Sequence, residues 1–320
     1  MNERHNLHYR PSMRAHRPDH PVPETLLPWP GHTGNWHRWN NNRGTLNLLG
    51  PHTTLRAAAE VRTGEVISCA RDVSFSDPYR PGPAGGIKRL KSFYGPQDKY
   101  STLGEDLTVR THGVVNTHID ALSHAGYGGF GFNGRLYSEV ISMEDGAREL
   151  DVREHGPIVT RGILVDVPRG RNVQCLQPGE WVIPADIAQA ADRVQPGDAF
   201  VIRTGVTISG VKGPDEKSGH HGTIAGVHWD CIELLARKDV SVFATDCGAD
   251  VYPGPADKPV FSPVHALCLV FYGIALVHNM NLEGLAHVCL REGRDCFMFT
   301  VSPLQIPGAS GSLATPVAIF

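Results

Sequence analysis

Short apolar runs rich in β-branched residues recur along this chain and are separated by turns or by amphipathic stretches. Runs of this kind with flanking turn residues are typical of buried β-strands. The pattern predicts strands at residues 64–70, 108–120, 163–167, 199–204, 240–245 and 274–277. Residues 76–104 are rich in proline, glycine and serine, so we expect a long loop there.

Four stretches between these runs carry signals for α-helices. Residues 184–193 begin with a proline, and residues 228–238 carry apolar side chains at helical spacing. Residues 262–272 open with a capping serine and a proline and end before Gly273, a helix breaker, and a further helix is predicted at residues 282–291. Because strands and helices alternate, the pattern predicts an α/β fold.

The N-terminal stretch, residues 1–34, is polar, proline-rich and aperiodic. We expect an extended or disordered arm there. The alternative is an arm that wraps a neighbouring subunit, because Leu26, Leu27 and Trp29 offer apolar surface to bury. Residues 35–320 are expected to form a single domain.

Composition limits the domain number and the class of protein but does not indicate a function. A chain of 320 residues can form one large or two small domains, and 41% apolar with 20% charged residues is ordinary for a soluble globular protein. Lysine and arginine number 30 and aspartate and glutamate 33, which gives a formal charge of −3. Nothing in this balance favours a nucleic acid or an anionic membrane surface as a partner.

The cysteines and the N-terminal sequence indicate the cellular compartment of the protein. The seven cysteines form no CxxC pair and mostly lie in apolar stretches, which fits a reducing cytosol better than a disulfide framework. The N-terminus has no apolar signal core, and the longest apolar run, residues 266–272, is too short to span a bilayer. We therefore expect a cytoplasmic protein.

The sequence THIDALSH at residues 117–124 carries the strongest chemical signal. Side chains two apart on a strand share a face, so His118 and Asp120 are expected to point into one space. His124 joins them if the strand continues or turns into a helix. Neutral imidazole and carboxylate are ligands that suit Zn(II), Mn(II) or Fe(II). A satisfied core or surface imidazole remains the alternative for each histidine taken singly.

Two later histidines add to this signal. His265 falls in the first turn of its predicted helix, where partial positive charge is expected to keep the ring neutral and able to bind a metal. His278 ends a short apolar strand, where open α/β folds tend to place sites. Asp246 and Asp250 are read as solvated loop carboxylates, or alternatively as carboxylates that orient an imidazole.

The motif at residues 117–124 resembles the HxGTHxDxPxH signature of the putative cyclase family, which includes bacterial kynurenine formamidase and isatin hydrolase. Further similarities occur in the right order. Residues 36–47 look like the N-terminal segment of longer members, residues 264–283 like the second metal segment, and residues 303–320 like the C-terminal ending. The resemblance covers about residues 35–320.

The resemblance implies a fold and a set of roles. It implies the swivelling β/β/α fold, in which a β-barrel-like core is flanked by helices, assembled as a homodimer or homotetramer. It assigns His118 and Asp120 as metal ligands, His265 as a later ligand and His124 as the catalytic histidine. The implied substrate is a small molecule.

The sequence also departs from the family pattern. The first family histidine falls on Val114, which cannot coordinate a metal, and the later Glu or Gln falls on His278, which can. Asn116 replaces the usual glycine and Leu122 the proline. These changes leave open whether two ions, one ion or none is bound.

We expect one divalent ion, zinc or manganese, held by His118, Asp120 and His278 with water completing the shell. His265 is expected either to ligate the ion or to position substrate. Trp39 is a candidate substrate-binding residue, as Trp36 is if an arm folds over the pocket. Substrate contact is also possible for a loop at residues 219–222.

Three functions follow from these expectations. The first is hydrolysis of a small amide, cyclic amide, N-formyl or ester substrate by metal-bound water, with His124 as general acid and base. The second is a cyclase, dehydratase or isomerase of a natural-product pathway with an altered or lost metal site. The third is a non-catalytic small-molecule binding protein on the same scaffold.

Overall fold

The computed structural model describes residues 34–75, 87–93, 102–209, 223–251 and 262–320. The predicted arm, apart from its last residue, and the loop at residues 219–222 lie outside these ranges. Within them, no helix combines the length and the apolar character needed to cross a membrane.

The described residues form fifteen β-strands of two to nine residues. They are β1 (Val66–Ser68), β2 (Ile87–Phe93), β3 (Leu103–Thr108), β4 (His118–Asp120), β5 (Ile141–Ser142), β6 (Gly146–Ala147), β7 (Ile158–Asp166), β8 (Trp181–Val182), β9 (Ala199–Arg203), β10 (Gly226–Val227), β11 (Val242–Thr245), β12 (Ala275–His278), β13 (Cys296–Val301), β14 (Gly311–Leu313) and β15 (Val317–Ile319).

Among the described residues, four helices have eight residues or more, and one shorter segment is a π-helix. The α-helices are α1 (Pro51–Ala58), α2 (Tyr137–Val140), α3 (Val167–Gly170), α4 (Pro184–Ala191), α5 (Val206–Ser209), α6 (Trp229–Arg237), α7 (Pro263–His265) and α8 (Glu283–Glu292). The 3-10 helices are Gly44–Leu48, Leu122–His124, Phe132–Gly134 and Val152–His155, and the π-helix is Ala266–Tyr272.

The main sheet has nine strands in the order β1-β15-β13-β7-β9-β11-β12-β4-β14 and curls into a half barrel. Its centre, β7-β9-β11-β12, is parallel, whereas the pairs on either side are antiparallel. Helices α4 and α6 and the π-helix lie in the connections between the parallel strands, as parallel pairing requires. This confirms the predicted α/β fold with a barrel-like core flanked by helices.

The two faces of the sheet bury separate apolar cores, because side chains alternate along each strand. Ile119 and Val277 pack in the core that contains the apolar side of α8. Their neighbours His118, Asp120 and His278 therefore point to the opposite face, where α4, α6 and the π-helix pack. The alternation of apolar and polar residues in two short strands thus delivers three polar side chains to one place.

The predicted strand at residues 108–120 is wrong in its middle. β3 ends at Thr108, residues 112–116 bend, and β4 begins only at His118. Gly113 has a φ of 126°, which glycine adopts readily. Asn116 fixes the bend, because its amide Nδ2 donates to the Arg110 carbonyl and its Oδ1 accepts from the Ser74 N–H.

Arg71 holds the same bend from outside. Its guanidinium donates to the carbonyls of Val114 and Val115, and also to that of Asp246 at 2.5 Å. Bonds from distant residues thus replace the ladder that a continuous strand would form. The apolar pattern of residues 108–120 does not reveal them.

Two other predicted segments differ in detail. Part of the expected loop at residues 76–104 is the strand β2, which pairs antiparallel with β3. The helix expected at residues 262–272 does start and stop as predicted, ending before Gly273 at φ 65°. It becomes a π-helix after one α turn, and its capping bonds go to Asp250 instead of the side chain of Ser262.

Candidate metal centre

Asp120 lies at the centre of the site, and its buried carboxylate is surrounded by imidazoles. Its Oδ1 lies 2.9 Å from Nδ1 of His112 and 3.5 Å from Nε2 of His118. Its Oδ2 lies 2.8 Å from Nε2 of His278 and 3.6 Å from Nε2 of His265. Neighbouring ligands of a tetrahedral ion with bonds of about 2.0–2.1 Å lie about 3.3 Å apart. The separations of 3.5 and 3.6 Å are close to that spacing, whereas those of 2.8 and 2.9 Å are hydrogen bonds to Asp120 that a bound cation would replace.

Strand pairing fixes the central side chains. β4 pairs antiparallel with β12 so that His118 lies opposite His278, and Asp120 follows on the same face. On the other edge of β4, Gly311 of β14 lies opposite Asp120. Burial lowers the pKa of His155 to about 4, and its neutral ring donates from Nε2 to the backbone carbonyl of Asp120 at 2.9 Å. The carboxylate thus stands on a rigid backbone.

His124 returns to this space because the chain enters the 3-10 helix Leu122–His124 after Asp120. Its ring stacks on that of His112 with centroids 3.8 Å apart, and lies 5.9 Å from the ring of His265. Burial lowers the pKa of His124 to about 3, against the attraction of Asp120. The ring is therefore neutral at physiological pH and able to accept a proton.

The protonation of His118 supports a cation at this position. Its Nδ1 lies 2.8 Å from the carbonyl of Asn116, which only accepts, so Nδ1 carries the proton. Burial lowers the pKa of His118 to about 3, so Nε2 keeps its lone pair. Burial opposes the charge of Asp120, but His124 and His278 hold the pKa of its carboxyl well below the usual range. A lone pair and a carboxylate oxygen thus face each other without a proton, and a cation satisfies both.

His265 is oriented by a second carboxylate. Its Nδ1 donates to Oδ2 of Asp250 at 2.5 Å, which leaves Nε2 facing Asp120. Burial lowers the pKa of His265, but the hydrogen bond and charge of Asp250 raise it above the usual value. The expectation that the helix start keeps this ring neutral therefore has the wrong sign. A full negative charge at contact outweighs the partial charge of a helix end.

Asp246 and Asp250 have different roles near the site. Both are buried, so the expectation that they are solvated is wrong. Asp250 orients an imidazole, which was the alternative interpretation. Asp246 accepts from the backbone N–H groups of Thr204 and Gly205 and so ties β9 to β11. Burial raises the pKa of Asp246, despite these bonds.

Only one of the two ring nitrogens of His278 has a hydrogen-bond partner. Nε2 lies 2.8 Å from Oδ2 of Asp120, whereas the buried Nδ1 has no hydrogen-bond partner. Burial lowers the pKa of His278, so the ring is neutral at physiological pH. Metal-bound histidines almost always donate their second N–H to an acceptor. His278 lacks that support, whereas His118 and His265 have it.

The five predicted chemical residues converge in the structure. Ligand atoms of His118, Asp120 and His278 lie within 4.8 Å of one another, as do those of His112, Asp120 and His124. The assignment of metal-binding and catalytic roles to these residues stays a prediction.

The two tryptophans lie apart from this cluster. Trp36 is a core residue, because its ring stacks with Phe271 and its Nε1 donates to the Val270 carbonyl at 2.6 Å. Trp39 lies against the guanidinium of Arg38, which pairs with Asp239 ahead of β11. That is the amino end of β11, whereas the histidines cluster at the carboxyl end of β12, its parallel neighbour. The substrate-binding role predicted for Trp39 gains no support from this position.

His112 is the site residue that the sequence argument missed. It lies two positions before Val114, where the family histidine was expected, and the bend at residues 112–116 carries it to Asp120. Val114 packs instead in a small apolar cluster with Ile224. The available signal was a histidine followed directly by Gly113, a residue that lets the backbone turn.

Comparison with known proteins places this architecture in a family. The sequence profile described as putative cyclase matches residues 27–249, more than half of the chain. The chain belongs to the putative cyclase family. The resemblance found in the sequence motifs is thereby confirmed. No curated protein matches this cyclase-family chain significantly.

Solved structures share the cyclase-family fold. A crystal structure described as a novel cyclase covers 90% of this chain and 99% of its own, with a TM-score of 0.77 and 26% identity. Isatin hydrolase A from Ralstonia solanacearum covers 82% and 93%, with a TM-score of 0.53 and 16% identity. The enzyme of that name from Labrenzia aggregata, bound to benzyl benzoate, covers 82% and 94%, with a TM-score of 0.55 and 17% identity.

Proposed function

We propose that this protein is a metal-dependent hydrolase acting on a small amide, cyclic amide, N-formyl or ester substrate. The observation that carries the proposal is the buried carboxylate of Asp120 with ligand atoms of His118 and His278 within 4.8 Å. Membership of the cyclase family and the fold shared with isatin hydrolases support the same reaction class.

The residues divide into those that hold an ion and those that act on substrate. His118 and Asp120 would hold one zinc or manganese ion, with His278 as the third ligand expected from the sequence. When bound, the ion polarises a substrate carbonyl and makes a water molecule more acidic. His265, oriented through Asp250, directs Nε2 into the same space, where it ligates or hydrogen-bonds the substrate.

His124 is the candidate general base. Burial lowers its pKa to about 3, so one ring nitrogen carries no proton at neutral pH, and the charge of Asp120 raises that pKa and so favours acceptance of a proton from the attacking water. It then returns the proton to the leaving nitrogen or oxygen. Asp120, close to His124, is the negative charge that stabilises the imidazolium formed in between.

The test uses a panel of small amides, cyclic amides, N-formyl compounds and esters, with native protein and with protein stripped by chelator. Hydrolysis is expected only with the ion present. The products of each substrate should together exceed its mass by one water, and a cyclic amide should give a single ring-opened product that is heavier by one water. Turnover that survives full ion removal would refute the role of the ion. A product of unchanged mass, or one lighter by a water, would favour the isomerase, cyclase or dehydratase alternative.

A homodimer or homotetramer in the cytoplasm, as expected from the sequence, is part of the same proposal. Light scattering after size-exclusion chromatography checks the assembly. A monomer at working concentration would contradict it.

A further inference from the structure

We propose that His112 is a ligand of the divalent cation and fills the place that Val114 cannot. This inference rests on the proposed metal site but assigns a residue outside the family pattern. Its basis is the bend at residues 112–116, which moves the coordinating side chain two positions along the sequence. Asp120 and His118 are the partners in this arrangement.

The ring orientations support a shared ion. Nδ1 of His112 is hydrogen-bonded to Oδ1 of Asp120 at 2.9 Å, and Nε2 of His118 lies 3.5 Å from the same oxygen. A bound ion would replace the Nδ1 proton of His112, and the ring would carry its proton on Nε2, beside Ser310. The two rings lie nearly perpendicular, at 88°, with centroids 5.4 Å apart. Because the lone pair of an imidazole nitrogen lies in the ring plane, crossed rings can direct two lone pairs at one point. The Asp120 oxygen completes that set.

His124 is a poorer partner for the same ion, although one of its ligand atoms also lies within 4.8 Å of His112 and Asp120. The rings of His112 and His124 are stacked at 3.8 Å with only 11° between their planes. Their lone pairs therefore lie in parallel planes and do not meet. This leaves His124 free for proton transfer.

The residues around His112 hold its ring in a fixed position. Nε2 lies 3.1 Å from the hydroxyl of Ser310, which gives the second nitrogen the partner that metal-bound histidines usually have. Gly311 makes room for the ring, because a Cβ there would lie 2.5 Å from Cε1 of His112. His278 has no such partner for its second nitrogen.

The ligand count remains compatible with catalysis. His112, His118 and Asp120 make three protein ligands, the usual number at a catalytic zinc. If His278 also binds, substrate needs a fifth position, which zinc sites can adopt. Because the His112 side chain is about a quarter exposed, the ion would lie on the accessible side of Asp120.

The test is Co(II) binding to chelator-stripped protein, followed by calorimetry and by visible absorption. His112→Gln is the test variant because glutamine keeps bulk and polarity, and His287→Ala, on the exposed side of α8, is the control. We expect His112→Gln to weaken Co(II) binding about 100-fold. This figure is the upper end of the loss seen when a residue that only hydrogen-bonds a metal ligand is replaced. At saturating Co(II) its absorption bands should shift, because one nitrogen ligand is replaced. The control should match the native protein in both.

The outcomes separate the two proposals. Native affinity in folded His112→Gln, or weaker binding with an unchanged spectrum, overturns His112 as a ligand and leaves the hydrolase proposal standing. Failure of the native protein to bind Co(II), Zn(II) or Mn(II) overturns both. If His112→Gln does not fold, paramagnetic NMR of native Co(II) protein decides. A shifted exchangeable N–H signal, lost when the Ser310→Ala variant is loaded, supports the proposal, and its persistence opposes it.

Discussion

Replacing Asp120 with asparagine removes the carboxylate that contacts His112, His118, His265 and His278. We expect this change to abolish stabilisation of the fold by a divalent cation, because the amide brings neither the charge nor the second acceptor oxygen. The variant is nearly isosteric, so the packing around β4 should survive. The comparison is made within each protein, with and without cation, so any effect on the ion-free fold cancels.

The size of the effect follows from chain length and mass action. A free cation at one hundred times its Kd stabilises the folded state by about 2.7 kcal/mol. An unfolding entropy of about 2.1 cal/mol/K per residue gives roughly 0.7 kcal/mol/K for this chain of 320 residues. The native protein should therefore gain about 4 °C in Tm.

Differential scanning fluorimetry with Zn(II) or Mn(II) measures this shift directly. Asp120→Asn should gain less than about 1 °C under the same conditions, a quarter of the native shift. His287→Ala, distant from the carboxylate, should keep the full shift. An equal shift in Asp120→Asn would mean that the ion binds elsewhere, and the reasoning on Asp120 would be refuted.

Other perturbations test separate parts of the structure. His124→Ala should lower kcat by about 10²–10⁴-fold with Co(II) binding retained, and a native rate would remove His124 as the base. Because His118 and His124 have a pKa of about 3 when folded, against about 6.5 when unfolded, ion-free stability should fall as pH drops from about 6.5 toward 3. The loss is up to about 1.4 kcal/mol per pH unit for each ring, and His265, whose pKa is raised, acts oppositely. Urea midpoints that agree at about pH 7.5 and pH 5.5 would contradict this. Trp36→Phe leaves the buried Val270 carbonyl without its donor and should cost about 1–3 kcal/mol in urea unfolding, so an unchanged midpoint would show that the bond is not needed.

The sequence predicted what depends on local spacing. The two-residue period of a strand was enough to bring His118 and Asp120 to one face, and strand-end position was enough to suggest His278. The capping proline and the glycine stop also fixed the segment that carries His265. These features need no knowledge of distant residues.

What the sequence did not predict depends on long-range bonds. The bend that carries His112 is held by Arg71 and Asn116, and its ring is seated by Ser310, which is 198 residues away. The sign of the pKa shift at His265 depends likewise on Asp250, which is contributed by another segment. Apolar periodicity contains no information on such contacts.

The placement of β4 sets the time at which the site can form during synthesis. This three-residue strand is held between β12 and β14, so its pairing on both edges is complete only after Gly311, 191 residues beyond Asp120, has been added. A nascent chain that has just completed the THIDALSH motif lacks both flanking strands. A cation that requires β4 to be paired on both edges would therefore be captured only after β14 has been synthesised.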